Sequence, residues 1–181
     1  MIPSFISSLV LFIPAFIANP SAVITGGHGI IDGGRTWNGK RILGDHKTWS
    51  GLFGGILAGL LVGLLINYAS LIFGVKELTF SSQFTIVLSM VITLSTFSMI
   101  GDLVGSFIKR RLGRAPGAES IFLDQYPFAL FALVFFYVFF WKEAASLFPW
   151  EGIVAILIIT PLIHRAVNII GYKLKMKSVP Y

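Results

Sequence analysis

Apolar positions along this chain come in long unbroken runs, and polar residues gather in short stretches between them. Five runs approach or exceed the ~20 residues a helix needs to cross a bilayer. They cover residues 2–18, 51–74, 84–104, 127–148 and 152–171. The pattern predicts an all-α integral membrane protein, a single domain over 1–181 with five transmembrane helices and two polar loops at 19–50 and 105–126. The first run holds Pro3 and Pro14 but lacks the basic leader of a cleaved signal peptide, so it reads as a span.

Within the runs, Gly51, Gly55, Gly59 and Gly63, with Asn67 next, recur every four residues. Such a face lets helix backbones approach closely. Thr85, Ser89, Thr93 and Thr96 share a face and are expected to act as interhelical hydrogen-bond glue. The fourth run is dense in aromatics (Phe131, Phe135, Phe136, Tyr137, Phe139, Phe140, Trp141), which suits lipid contact or a groove for hydrocarbon.

Composition supports the membrane reading. The chain is 55% hydrophobic and 12% charged, against roughly 25% charged in soluble domains, and its mean hydropathy is +0.84. The net charge of +6 does not point to nucleic acid, because the cations sit in short loops beside apolar runs. The absence of cysteine excludes disulfides and thiolate chemistry. Arg35, Lys40, Arg41 and Lys47 lie in the first loop, Lys109, Arg110, Arg111 and Arg114 in the second, and Lys173, Lys175 and Lys177 in the tail. Five crossings put these on one side, opposite Lys76 and Lys142. The positive-inside rule then places both loops and the C-terminus in the cytoplasm and the N-terminus outside.

The candidate chemistry lies in the loops. If the third helix continues through Lys109, then Asp102, Ser106 and Lys109 share one face. A carboxylate, a hydroxyl and an ammonium so placed can bind a metal and a phosphate together. Arg110 and Arg111 flank them, and Asp124 brings a second carboxylate. Mg²⁺ is commonly held by one or two carboxylates, with phosphates and water completing its shell. The first loop has Gly at 26, 27, 29, 33, 34, 39, 44 and 51. Its cations Arg35, Lys40, Arg41 and Lys47, with Asp45, can complete a backbone phosphate cradle. No Walker pattern is present, and His28 and His46 lack metal-ligand spacing. In the last run Arg165 is expected to snorkel, while His164 and Asn168 share a face that could line the site.

These residues carry a resemblance. Gly101-Asp102, Ser106, Lys109-Arg110 and Asp124 in Phe-Leu-Asp-Gln resemble the C-terminal signature of integral-membrane CTP:phosphatidate cytidylyltransferases. The stretch from Gly33 through Arg35-Thr-Trp-Asn-Gly-Lys40-Arg-Ile-Leu-Gly-Asp45-His-Lys47 to Gly51 is closer to their archaeal relatives, the CDP-archaeol synthases. Arg114-Ala-Pro-Gly117, where bacterial-type enzymes have a Lys-Asp pair and a His-Gly-Gly element, also favours the archaeal group. The resemblance implies CTP and an isoprenoid ether-lipid phosphate as substrates and Mg²⁺ as cofactor, at a cell-membrane site facing the cytoplasm. It implies Asp102 and Asp124 as metal ligands, with Lys109 also catalytic. Arg35, Thr36, Gly39, Lys40, Arg41, Asp45, Lys47, Ser106, Arg110 and Arg111 would bind substrate. Two other readings compete. Asp32-Gly-Gly-Arg35 is a poor echo of the CDP-alcohol phosphotransferase pattern, and an anion transporter or lipid-binding module would account for the basic loops alone.

Overall fold

Backbone surrounded by lipid must satisfy its own hydrogen bonds, so the apolar runs fold as helices. The computed structural model describes residues 2–114 and 120–174; 115–119, Lys175 and Lys177 lie outside them. Helices α1 (Ser4–Leu11) and α2 (Ile13–Thr25) form one bent span. The bend falls at Pro14, which has no amide to give the preceding turn, while Phe12 N bonds Ser8 O at 2.9 Å. A small hairpin of β1 (Thr36–Trp37) and β2 (Lys40–Arg41) follows. Then come α3 (Trp49–Ile72), a 3₁₀ turn at Lys76–Leu78, and α4 (Phe84–Arg111). The short α5 (Ile121–Gln125) leads to α6 (Pro127–Phe139), α7 (Trp141–Leu147) and α8 (Trp150–Lys173).

Among the described residues four helices are long and apolar enough to cross a membrane, and α6 is apolar but shorter. Three boundaries differ from the pattern-based expectation. The first span runs past Ala18 to Thr25. Helix α4 runs past Val104 to Arg111, because nothing before Gly113 breaks it. Gly113 adopts φ +76°, its amide bonds Arg110 O at 3.1 Å, and Arg114 N bonds Lys109 O at 3.0 Å. This is a glycine-ended helix terminus with two carbonyls satisfied. The run 127–148 is divided at Phe140, which leaves helical geometry. Tyr137 OH donates to Phe148 O at 2.5 Å, and the Phe136 and Phe148 rings meet edge to face at 5.1 Å. Helix α7 therefore folds back beside α6 instead of extending it.

The glycine stripe packs as the spacing predicts. Gly51, Gly55, Gly59, Gly63 and Asn67 are buried, and Phe53, Leu57, Leu61 and Leu65 are exposed on the opposite face. A Cβ at Gly55 would lie 2.6 Å from Ala18 O and 2.8 Å from Met99 Sδ; one at Gly59 would lie 2.7 Å from Pro14 O. Helix α3 is thus seated backbone to backbone against α2, while its glycines make room for the α4 side chains of Met99, Ser95 and Val91. The expected hydroxyl glue is a correction. Ser89 Oγ and Thr93 Oγ1 donate to carbonyls of their own helix, Thr85 O and Ser89 O, because their face is not covered by another helix. Interhelical bonding comes from other hydroxyls. Ser98 Oγ donates to Ala15 O at 2.8 Å, and Ser8 Oγ donates to Leu147 O at 2.8 Å. The aromatics of the fourth run divide. Phe136 is buried in the core with Phe12, Phe148, Met90 and Leu94, Phe135 stacks on Phe97 at 3.9 Å, and Phe139 is exposed.

Gly59→Leu should destabilise the detergent-solubilised protein by about 1–3 kcal/mol through overpacking against Pro14 and Ser95. Leu61→Ala, on the exposed face, should shift the thermal unfolding midpoint far less.

Candidate active site

The loop between α2 and α3 is built around Asp32. Its carboxylate is buried and accepts from the amides of Gly34 (3.0 Å), Leu43 (2.9 Å) and Gly44 (3.2 Å). Arg41 Nη2 adds an ion pair at 2.9 Å, and Arg41 Nη1 reaches Asp45 at 2.5 Å. Burial works to raise the Asp32 pKa. The Arg41 bond and the Leu43, Gly34 and Gly44 amides outweigh it and hold the group at about 2. Between Asp32 and Arg41 the chain reverses at Asn38 and Gly39, with φ of +51° and +73°. Two successive positive φ values suit an Asn-Gly hairpin turn.

The hairpin docks on the end of α4 through Arg111. Its guanidinium donates to Trp37 O (2.7 Å), Lys40 O (3.1 Å) and Arg41 O (2.6 Å). It also lies over the rings of Trp37 and Phe107 at 5.3 and 5.4 Å. The rest of the loop returns to α3. Thr48 Oγ1 caps α3 by accepting from Gly51 N at 3.2 Å, and Trp49 N bonds Gly29 O at 2.7 Å.

The two polar stretches therefore meet at one end of the bundle. Lys47 Nζ bonds Asp102 Oδ2 at 2.5 Å, joining loop to helix. Lys109 pairs with Asp124, joining α4 to α5. Asp124 Oδ2 also accepts from Ser120 N at 2.7 Å. The helix glycines make this approach possible. A Cβ at Gly101 would collide with Pro127 O and lie 2.7 Å from Phe128 Cα, and one at Gly105 would lie 2.6 Å from Leu123 O. Asp102 and Asp124 thus flank a backbone-to-backbone contact.

The expected site residues take different places around this junction. Asp102, Lys109, Asp124 and Lys47 form the two ion pairs, and Ser106 is buried one turn beyond Asp102. Arg35, Thr36 and Gly39 are exposed on the hairpin. Lys40 Nζ reaches Arg111 O at 3.4 Å. Arg41 and Asp45 are engaged in the Asp32 cluster, and Arg111 in docking the hairpin. Arg110 is buried and donates to Arg114 O at 2.5 Å. His164 and Asn168 pair at 3.2 Å on α8. Asp32, read in the sequence only as a phosphotransferase echo, and Phe107, not singled out there, support the loop and the hairpin structurally. Asp followed by Gly-Gly is an Asx-turn signal, and Asn38-Gly39 is a hairpin signal; both were available in the sequence. Because Asp32 is enclosed by four partners, Asp32-Gly-Gly-Arg35 offers no free carboxylate for phosphotransferase chemistry.

Among the described residues no cluster of three or more acidic or histidine side chains could hold a metal alone. The donor set still suits one kind of ion. Asp102 and Asp124 each keep partial solvent access, and a carboxylate completed by phosphate oxygens and water is what Mg²⁺ takes.

Known proteins agree over nearly the whole chain. A family model described as CarS-like: CDP-archaeol synthase matches residues 1–181. A CDP-archaeol synthase of Picrophilus torridus is 48% identical over 177 residues, covering 96% of this chain and 95% of its own. One from Pyrococcus furiosus is 40% identical, covering 93% of each. One from Methanosarcina mazei is 40% identical, covering 93% of this chain and 99% of its own. A solved structure of an intramembrane enzyme for archaeal membrane lipids biosynthesis superposes with a TM-score of 0.68 at 32% identity. It covers 91% of this chain and 94% of that one.

A carboxylate whose folded pKa is depressed stabilises the fold above its unfolded pKa, and that contribution is lost as pH falls through the folded value. For Asp32 the window lies between 3.8 and about 2. Hydrogen-exchange protection of Leu43 and Gly44, corrected for intrinsic rates, should therefore be equal at pH 7 and pH 5. Asp32→Asn should lower it about tenfold, as loss of charged hydrogen bonds does.

Proposed function

The chain belongs to the CDP-archaeol synthase family, and on that premise we propose that it transfers CMP from CTP to an unsaturated archaeal ether-lipid phosphate, 2,3-bis-O-geranylgeranylglycerol 1-phosphate. The products are a CDP-archaeol-type lipid and pyrophosphate. The observation that carries this reading is the convergence of two carboxylate–lysine pairs and a docked cationic hairpin at one end of an apolar bundle. In our reading the chain crosses the bilayer five times, α6 being the short crossing. The charged end and C-terminus face the cytoplasm and the N-terminus faces outward.

In the reaction a lipid phosphate oxygen attacks the α-phosphorus of CTP. The new P–O bond forms as the bond to the β-phosphate bridge breaks, and pyrophosphate leaves with that electron pair. The attacking phosphate is already anionic near neutral pH, so no general base is needed. Catalysis then rests on alignment and charge neutralisation. Asp102 and Asp124 would hold Mg²⁺, whose charge offsets the triphosphate. Lys109 and Lys47 face the same junction and would meet phosphate oxygens. Arg35 and Lys40, presented by the hairpin with Thr36 and Gly39, would bind the nucleotide. The Asp32 cluster and Arg111 set the hairpin's position. The isoprenoid tails would lie among the helices, with the phosphate at the junction.

Labelled CTP, Mg²⁺ and the ether-lipid phosphate should yield pyrophosphate only when all three are present with the purified protein. Asp102→Asn should lower kcat by at least about 100-fold, the scale of losing a charge-stabilising group at a reacting phosphate, while the elution profile and unfolding midpoint stay near wild type. Full activity in that variant would remove the carboxylate from the mechanism.

A further inference from the structure

Each of the two carboxylates at the junction is held by a lysine from another part of the chain. Lys47 Nζ lies 2.5 Å from Asp102 Oδ2, and Lys109 Nζ bonds Asp124 Oδ1. An ammonium bonded this closely to a carboxylate oxygen competes with any divalent cation for the same lone pairs, and the two cations repel at that range. Without a lysine, each carboxylate would be a partly buried, unpaired charge.

We propose that Lys47 is an exchangeable counter-ion. It neutralises Asp102 and pins the loop to α4 before substrate binds. It then releases the carboxylate, and its ammonium passes to a phosphate oxygen of the nucleotide. Lys109 does the same at Asp124. This rests on the reading of Asp102 and Asp124 as the metal carboxylates.

Three features support the exchange. The pairs are partly solvated: the side chains are 26% and 28% exposed for Lys47 and Asp102, and 13% and 20% for Lys109 and Asp124. Either can open without stranding a fully buried charge. The Lys47 backbone is fixed, since Ile31 N bonds Lys47 O at 2.9 Å and the next residue, Thr48, caps α3. Only the flexible four-carbon stem needs to move. The other carboxylates of the loop, Asp32 and Asp45, are both held by Arg41. The released ammonium therefore finds its counter-charge in phosphate. The consequence is coupling, with metal binding weakly alone and more tightly with nucleotide, and the reverse to the same degree.

The test is Mn²⁺ titration of the purified full chain in lipid nanodiscs, read by electron paramagnetic resonance without nucleotide. Lys47→Met should bind Mn²⁺ about fivefold more tightly than wild type, the order expected for freeing one partly solvated ion pair. Its KM for CTP should rise about tenfold, as on losing one charge-assisted phosphate contact. Lys47→Gln, which keeps a polar group at the carboxylate, should shift both in the same direction and serves if the Met variant does not fold. Unchanged or weaker Mn²⁺ binding in the folded variants overturns the proposal. Asp102→Asn separates the layers. If it abolishes Mn²⁺ binding while the Lys47 variants show no tightening, the exchange alone fails. If it binds Mn²⁺ like wild type, the metal reading fails and the exchange with it.

Discussion

The candidate site depends on the approach of α4 to the chain around Pro127. Gly101 and Gly105 bring the α4 backbone against Pro127, Phe128 and Leu123 with no side chain between. Small residues at such a crossing let two helices pack by van der Waals contact alone, which matters in lipid, where no hydrophobic drive pushes helices together. Asp102 lies between the two glycines in sequence, and Asp124 follows the carbonyl that Gly105 touches. A methyl group at either glycine would collide with this chain and push α5 and α6 outward. The same device seats α3 against α2 through Gly55 and Gly59, and Gly152 of α8 leaves room for the Ser8 side chain of α1. Backbone proximity, made by omitting side chains, frames the bundle and its polar end alike.

The charges at that end are organised more fully than a basic patch would be. Arg41 bridges Asp32 and Asp45, Arg111 binds three carbonyls of the hairpin, and Arg110 turns inward. The guanidiniums, with their planar forks of donors, hold the protein's own structure together. The lysines, point charges on flexible stems, sit on the carboxylates. That division matches what each side chain does best: arginine fixes geometry, and lysine can change partners.

Much of this could be read in the sequence. The apolar runs located the helices, the four-residue glycine spacing identified the buried face of α3, and the placement of Lys and Arg brought both polar stretches to one end. Asp102, Ser106 and Lys109 shared a face once α4 was taken through Lys109, as it is. What escaped was decided by contacts between distant segments. Ser89 and Thr93 looked like glue because periodicity shows that a face is polar, not whether another helix covers it. The docking role of Arg111 was out of reach because its three carbonyl partners lie about seventy residues earlier. The break at Phe140 has no Gly or Pro to announce it; it arises from the packing of Phe136, Tyr137 and Phe148. The role of Asp32 was locally legible, but its eleven- and twelve-residue links to Leu43 and Gly44 were not.

The brevity of α6 has a consequence for the surrounding lipid. Its 13 residues rise about 20 Å at 1.5 Å each, against a hydrocarbon layer about 30 Å thick. It also meets α4 at Gly101, ten residues and so about 15 Å short of the Arg111 end. On the five-crossing reading, a bilayer faced with so short a wall would thin beside it. With α6 as the short crossing proposed above, the headgroup layer on that flank would sag towards Asp102 and Asp124, and an amphiphile would present its phosphate there without lifting its tails out of the leaflet.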